Sequence, residues 1–255
     1  MNRTTFIELL EKRDFKTLKN TLEIMNAVDI ALLLSNLEDK ERAFAFRLIP
    51  KDKAADVFSN MSNPIQSYLV KIFTEKELRE LLDNLYMDDT VDLLEELPAN
   101  LVTRILHTVS SDKRDLINQL LKFPENSAGS IMTTEYVSLK KTMTIKETMK
   151  HIKEVGIHKE TIYTCYVLEN RRLIGIVSAK DLMTLDDNTF IQDIMETEII
   201  SVGTHTDQEE TARLFSKYDL LALPVVDLDN RMVGIITVDA VSYTHLRAHE
   251  TDQYL

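Results

Sequence analysis

The stretch IMTTEYVSL, residues 131–139, returns as IMETEIISV at residues 194–202, and this recurrence decides how the C-terminal half folds. Two companions recur in the same order. KETMKHI (146–152) matches EETARLF (209–215), and NRRLIGIVSAKDL (170–182) matches DNRMVGIITVDAV (229–241). Such ordered recurrence marks one structural unit used twice. Each copy reads as strand, helix, strand, turn, strand, helix. The turns are ENRR (169–172) and DLDN (227–230). The closing strands LIGIVS and MVGIIT are rich in β-branched residues, which suits a buried sheet. Met132 and Met195, in the strand openings, are read as core.

Toward the N-terminus, KFPENSAGS (122–130) breaks the composition at Pro124, Asn126, Ser127 and Gly129. Residues 1–123 contain no glycine and read as short amphipathic helices. They also repeat, with a period of 24 residues: LLLSNL (32–37), DVFSNM (56–61), ELLDNL (80–85) and RILHTV (104–109). Five columns stay apolar through four copies, among them Leu33/Val57/Leu81/Ile105 and Ala45/Leu69/Leu93/Ile117. The spacing within a copy describes two short helices, each with one apolar face. One pair cannot bury its face alone, whereas stacked copies can, so a small helical solenoid is expected. An ordinary bundle with accidental periodicity is the competing reading, and five columns in register favour the solenoid. No catalytic constellation appears in this half, and His107 is read as a surface or satisfied residue.

Bulk properties set limits on function. The chain has 255 residues, 44% hydrophobic content and a formal charge of −12, with both halves acidic. That argues against nucleic acid or anionic lipid as the main partner and permits cations. The single cysteine, Cys165, excludes an internal disulfide and fits a reducing compartment. MNRTTFIELLEKRDF is charged and amphipathic, unlike a secretory signal, and no apolar run approaches a membrane span. The expectation is a soluble intracellular chain.

The C-terminal repeat resembles the cystathionine-β-synthase (CBS) domain in its opening IMTTEYVSL, its central LPVVDLDNRMVG and its closing GIVSAKD. The resemblance covers residues 128–241 and implies a tandem CBS pair, 131–190 and 191–241, after a joint at 124–130. Tandem CBS pairs often bind adenine nucleotides. By that resemblance Asp181 would accept from the ribose hydroxyls, with Ser178 and Lys180 toward phosphate and Tyr163, Leu223 and Pro224 walling the base. Ser178 and Asp181 are equally what a helix N-cap needs, and Lys180 is equally a solvated charge, so both readings stay open. The second copy has Thr237 but Ala240 where the motif wants aspartate, so at most one nucleotide site is expected.

A helical repeat followed directly by two CBS domains resembles the cytosolic region of MgtE-type magnesium transporters. DDTVDLLEELP (88–98), FPENSAGSIMTTEYV (123–137) and TDQEETARLFSKYDLLALPVVD (206–227) carry the likeness, over residues 1–241. It implies a superhelical domain (1–123), a homodimer formed through the CBS domains, and a missing multi-spanning membrane domain at the cytoplasmic face of the membrane. It also implies sensing of Mg2+ between the helical and CBS domains, with Asp88, Asp92, the Gly129 carbonyl and Asp239 as ligands. Mg2+ takes hard oxygen ligands and keeps several waters, so a few carboxylates suffice. Asp88 and Asp92 stand at i and i+4, on one helix face. Structure alone accounts for one aspartate as an N-cap, but a like-charged pair at that spacing costs roughly 0.2–0.5 kcal/mol, a cost that a cation would remove. The family's acidic helix does not continue past Asp239, and residues 242–255 are read as a non-native tail. Two other readings remain: a dimeric scaffold, and an ATP sensor without ion sensing. No nucleophile–base pair, Gly-rich phosphate loop or His/Cys metal spacing appears, so no enzyme is expected.

Overall fold

The computed structural model describes residues 3–241, and the predicted tail at 242–255 lies outside them. The chain divides into two compact units. The first is purely helical. Its helices are α1 (Arg3–Glu11), α2 (Phe15–Ile24), α3 (Ala27–Ser35), α4 (Asp39–Leu48), α5 (Lys51–Ser59), α6 (Asn63–Ile72), α7 (Glu75–Leu82), α8 (Met87–Glu96), α9 (Ala99–Thr108) and α10 (Ser111–Leu120). The odd-numbered helices begin at residues 3, 27, 51, 75 and 99, so the 24-residue period is realised as five helix pairs rather than four. The first pair escapes the sequence pattern because it keeps Leu9 and Leu10 but has Arg13 where later copies have Leu37, Met61, Leu85 and Val109. Arg13 takes a left-handed φ of 54° that a buried leucine would not favour.

Stacked odd helices bury the apolar columns. Leu33, Val57, Leu81 and Ile105 are all nearly inaccessible. Phe46 packs its ring between Phe58 and Phe73, at centroid distances of 6.3 and 5.2 Å. Short helices leave many carbonyls without intrahelical partners. Here one polar column serves them. Arg42 donates from Nε to the Leu34 carbonyl at 2.9 Å, Gln66 from Nε2 to that of Phe58 at 2.9 Å, and Arg114 from Nε to that of Leu106 at 2.5 Å. Donors and acceptors both keep the 24-residue step. The copy in between has Thr90 in that column, and there the Leu82 carbonyl accepts from Lys113 Nζ instead.

The second unit holds two three-stranded sheets. β1 (Ser138–Leu139), α11 (Ile145–Val155), β2 (Thr164–Glu169), β3 (Arg172–Ser178) and α12 (Ala179–Thr184) make the first copy. β4 (Val202–Gly203), α13 (Gln208–Tyr218), β5 (Ala222–Val226) and β6 (Met232–Thr237) make the second, and a further helical turn begins at Val238. In each sheet the short first strand runs parallel to the central one, which pairs antiparallel with the third. The ENRR turn is a tight hairpin with Asn170 and Arg171 both left-handed, at φ 51° and 68°.

The predicted opening strands are much shorter than expected, because their first halves cross to the opposite copy. Thr133 exchanges both backbone hydrogen bonds with Ile235, at 2.8 and 2.9 Å, and Glu196 does the same with Ile176, at 2.9 and 3.0 Å. Glycines admit the crossing. A Cβ at Gly234 would lie 2.6 Å from the Thr133 carbonyl oxygen and 2.8 Å from Met132 Sδ, and one at Gly175 would lie 2.7 Å from Met195 Sδ. The copies therefore share a core in which Tyr166 and Leu173 of the first meet Met232 and Ile235 of the second. Met132 is buried, and Met195 packs on the first copy's core.

Candidate ligand sites

The first candidate site grows from the end of β3. Ser178 leaves the strand and N-caps α12, accepting from the Asp181 amide at 3.1 Å while its hydroxyl donates to Asp181 Oδ2 at 2.6 Å. The Ala179 amide donates to the Tyr163 carbonyl at 2.8 Å, which fixes Tyr163 beside this turn with its side chain 66% exposed. Tyr163, Ser178, Lys180 and Asp181 are thus gathered at one end of the sheet: an exposed aromatic face, a hydroxyl, a cation and a carboxylate. The capping role left open by the sequence is real, and it holds the carboxylate in place. Leu223 and Pro224 lie in β5, where both are buried and Leu223 pairs with Ile236.

The second copy repeats the geometry without the chemistry. The Val238 amide donates to the Leu221 carbonyl at 3.1 Å, the same bond that Ala179 makes to Tyr163. Leu221 is 59% exposed where the first copy presents Tyr163. No sequence signal had singled out Leu221, because the central motif LPVVDLDNRMVG begins two residues later. Thr237 is buried at the strand end, and Ala240 brings no carboxylate.

Cys165, on the central strand, is free and buried, and burial pushes its thiol up to about 12, so it stays protonated and inert. A separate cavity of about 510 Å³ between α11 and α12 is lined by Lys146, Met149, Lys150, Lys153, Leu182, Met183 and Asp187, none of them a predicted site residue.

The ion candidates lie on other elements. Asp88 and Asp92 are both on α8, one turn apart, the former half-buried and the latter exposed. Because α8 starts at Met87, Asp88 and Asp89 occupy its first turn rather than the N-cap, where the helix dipole favours acids. The repeat register separates structural need from surplus. The Asp88 column reads Lys16, Lys40, Pro64, Asp88, Asp112, and the Asp92 column reads Asn20, Phe44, Tyr68, Asp92, Leu116. The solenoid fold itself therefore asks for no acid at position 92.

Gly129 lies in the joint. Its amide donates to the Thr204 carbonyl at 2.8 Å, and the Ala128 amide donates to that of Thr206 at 2.7 Å. Among the described residues no hydrogen bond is directed to the Gly129 carbonyl. Asp239 is exposed in the helical turn after β6. Among the described residues no three His, Cys, Asp or Glu side chains converge as a preformed metal cluster. The candidates are three carboxylates, two of them on α8, and one backbone carbonyl, all oxygen donors of the kind Mg2+ takes while keeping several waters.

A ten-helix repeat followed by two interlocked sheet units defines a helical domain joined to a tandem CBS module. Comparison with known proteins sharpens this. The MgtE intracellular N domain matches residues 25–126, and the CBS domain matches residues 128–187 and 191–243. The magnesium transporter MgtE of Thermus thermophilus is 37% identical over 239 residues, covering 92% of this chain and 53% of the relative. A crystal structure of the cytosolic domain of the Mg2+ channel MgtE in complex with ATP superposes with a TM-score of 0.89 at 35% identity, covering 95% of this chain and 99% of that one. The crystal structure of the soluble part of a magnesium transporter gives a TM-score of 0.90 at 29% identity, covering 96% and 97%. The chain belongs to the MgtE family, as its helical N domain and CBS pair. It spans about half the length of the curated relatives it matches, and among the described residues no helix is long and apolar enough to cross a membrane.

Proposed function

We propose that this chain is the magnesium-sensing regulatory part of a magnesium transporter or channel. The observation that carries the reading is its match, over nearly its whole length, to the cytosolic domain of a Mg2+ channel. In this reading it forms a homodimer through its CBS domains. It is continuous with a membrane-embedded transport domain of the same chain, which places it at the cytoplasmic face of the membrane. It acts as a sensor rather than an enzyme, and nucleic acid is not a partner.

Asp88 and Asp92 on the helical domain, with the Gly129 carbonyl and Asp239 on the CBS side, would hold Mg2+. Bound Mg2+ supplies the positive charge that these acids lack among themselves. Without it, the carboxylates repel and favour an open arrangement. With it, closure of the helical domain on the CBS dimer is favoured, because each domain supplies only part of the shell. Asp92 supports this reading, since no other copy of the repeat has an acid in its column. Small-angle scattering of the purified chain across millimolar Mg2+ tests it. Compaction is expected in the wild type and is reduced in Asp88→Ala and Asp92→Ala. A radius indifferent to Mg2+ would leave a dimeric scaffold or an ATP sensor without ion sensing.

A second ligand is supported by the gathered Tyr163, Ser178, Lys180 and Asp181. We infer one adenine-nucleotide site, with ATP as its ligand, in the first copy. Asp181 accepts from the ribose hydroxyls, Ser178 and Lys180 face phosphate, and Tyr163, with Leu223 and Pro224, flanks the base. The buried positions of Leu223 and Pro224 require that any contact with the base follow a local opening. Calorimetry with ATP, ADP and AMP should find a single site per chain that Asp181→Ala abolishes. Two equivalent sites would overturn the assignment.

A further inference from the structure

Gly129 carries a constraint that its carbonyl alone does not explain. Its backbone is not left-handed, so conformation does not demand glycine. Space does. A Cβ at 129 would lie 2.6 Å from Phe123 Cγ and 2.8 and 2.9 Å from the two Cδ atoms, so the phenyl ring lies directly over this Cα. The same ring meets the His205 imidazole nearly edge-on, at 6.1 Å and 81°. His205 Nδ1 is 3.0 Å from Thr204 Oγ1, and the Thr204 carbonyl accepts the Gly129 amide. The joint is closed further by the Gln208 amide donating to the Asn126 carbonyl at 2.9 Å and by Gln208 Nε2 donating to Asn126 Oδ1 at 3.0 Å. Phe123 thus covers the Gly129 Cα while Thr204 holds the preceding Ala128–Gly129 peptide, and the following peptide, which carries the Gly129 carbonyl, is held through its Ser130 amide donating to the Ser127 carbonyl at 3.1 Å.

We propose that Phe123 is a positioning residue for the Gly129 carbonyl, pinning the Gly129 Cα that joins these two peptides so that the carbonyl oxygen is presented as a cation ligand. The inference rests on the ion-sensing reading, and it assigns Phe123 a role although the ring offers no ligand atom. It also states why residue 129 is glycine: the ring needs the space.

The test uses the full chain and Mg2+ alone, with three readouts: the Mg2+ midpoint of compaction, amide exchange at Gly129 and Ser130 without metal, and the metal-free melting temperature. Phe123→Ala should raise the midpoint about tenfold, the lower end of what loss of an orienting partner does to metal affinity, and should speed exchange at Gly129 and Ser130. Gly129→Ala should do the same by expelling the ring. Combining it with Phe123→Ala, where the new methyl has room, should add nothing further. Phe123→Leu, which keeps bulk but loses the ring plane, covers the case in which the alanine variant does not fold. If Phe123→Ala and Phe123→Leu lower the melting temperature but leave the midpoint within about twofold, while Asp92→Ala raises it, Phe123 is only packing and this inference falls alone. If Asp88→Ala and Asp92→Ala also leave the midpoint unmoved, the ion-sensing reading falls, and this inference with it.

Discussion

Glu77 shows how much one side chain can do that its own neighbourhood in the sequence does not announce. It closes a capping box at the start of α7, accepting from the Thr74 amide at 2.8 Å, and it also receives Arg47 of α4 at 2.7 Å. The Arg47 guanidinium, followed by the Thr74 bonds, holds its carboxyl down at about 2. A carboxyl depressed in the folded state stabilises the fold above its ordinary value of 4.5, and that contribution is lost as pH falls toward about 2. Arg47→Ala should therefore return the Glu77 titration toward its ordinary range in a carbon-detected NMR experiment. It should also flatten the dependence of stability on pH between those limits, and an unchanged Glu77 titration would exclude the pair as its cause. T-x-x-E at 74–77 is the local sequence form of a capping box, whereas nothing local announces the arginine thirty residues away. The same holds for Arg42, Gln66 and Arg114: their register is written in the sequence, but their carbonyl acceptors appear only once short helices stack.

At the scale of elements, periodicity served the helices better than the strands. A 24-residue step with apolar columns specified two helices per copy, and it failed only in the first pair, where Arg13 and Thr21 replace apolar residues. IMTTEYVSL reads as one long strand, yet only Ser138–Leu139 joins its own sheet. Met132 and Thr133 instead reach the other copy, a choice that depends on Gly234 lying opposite and that no local propensity encodes. The two crossing glycines should therefore differ in tolerance. An added methyl at Gly234 meets backbone, the Thr133 carbonyl, which cannot step aside without breaking its ladder. At Gly175 it meets the flexible side chain of Met195. Gly234→Ala should cost about 2–3 kcal/mol and Gly175→Ala about 1 kcal/mol, by denaturant titration. Equal costs would mean that the Thr133 strand moves as readily as a methionine.

For the whole molecule, the sequence made the order of parts legible, and with it the candidate residues, because each part repeats and each repeat carries its own motif. It did not reveal how the two CBS copies depend on each other, and that dependence bears on what can fold alone. Each copy is near the size at which a single core becomes marginal, since a domain of about 60 residues buries only about 60% of its unfolded surface. Here part of each core is supplied from outside. Residues 132 and 133 cover Gly234, residues 195 and 196 cover the strand of Gly175, and Tyr166 packs with Met232 and Ile235. A helical solenoid has no such debt, because its helix pairs bury their faces against sequence neighbours. The fragment 3–122 should therefore show a cooperative melt by circular dichroism on its own, as should 124–241. The fragment 191–241 should not, because its sheet has lost the strand segment that covers Gly234. Adding 124–190 in trans should restore ordered structure, since hydrogen bonds and packing, not chain continuity, join the copies. A cooperative melt from 191–241 alone would show that the exchanged segments decorate two self-sufficient domains and that the shared core contributes little.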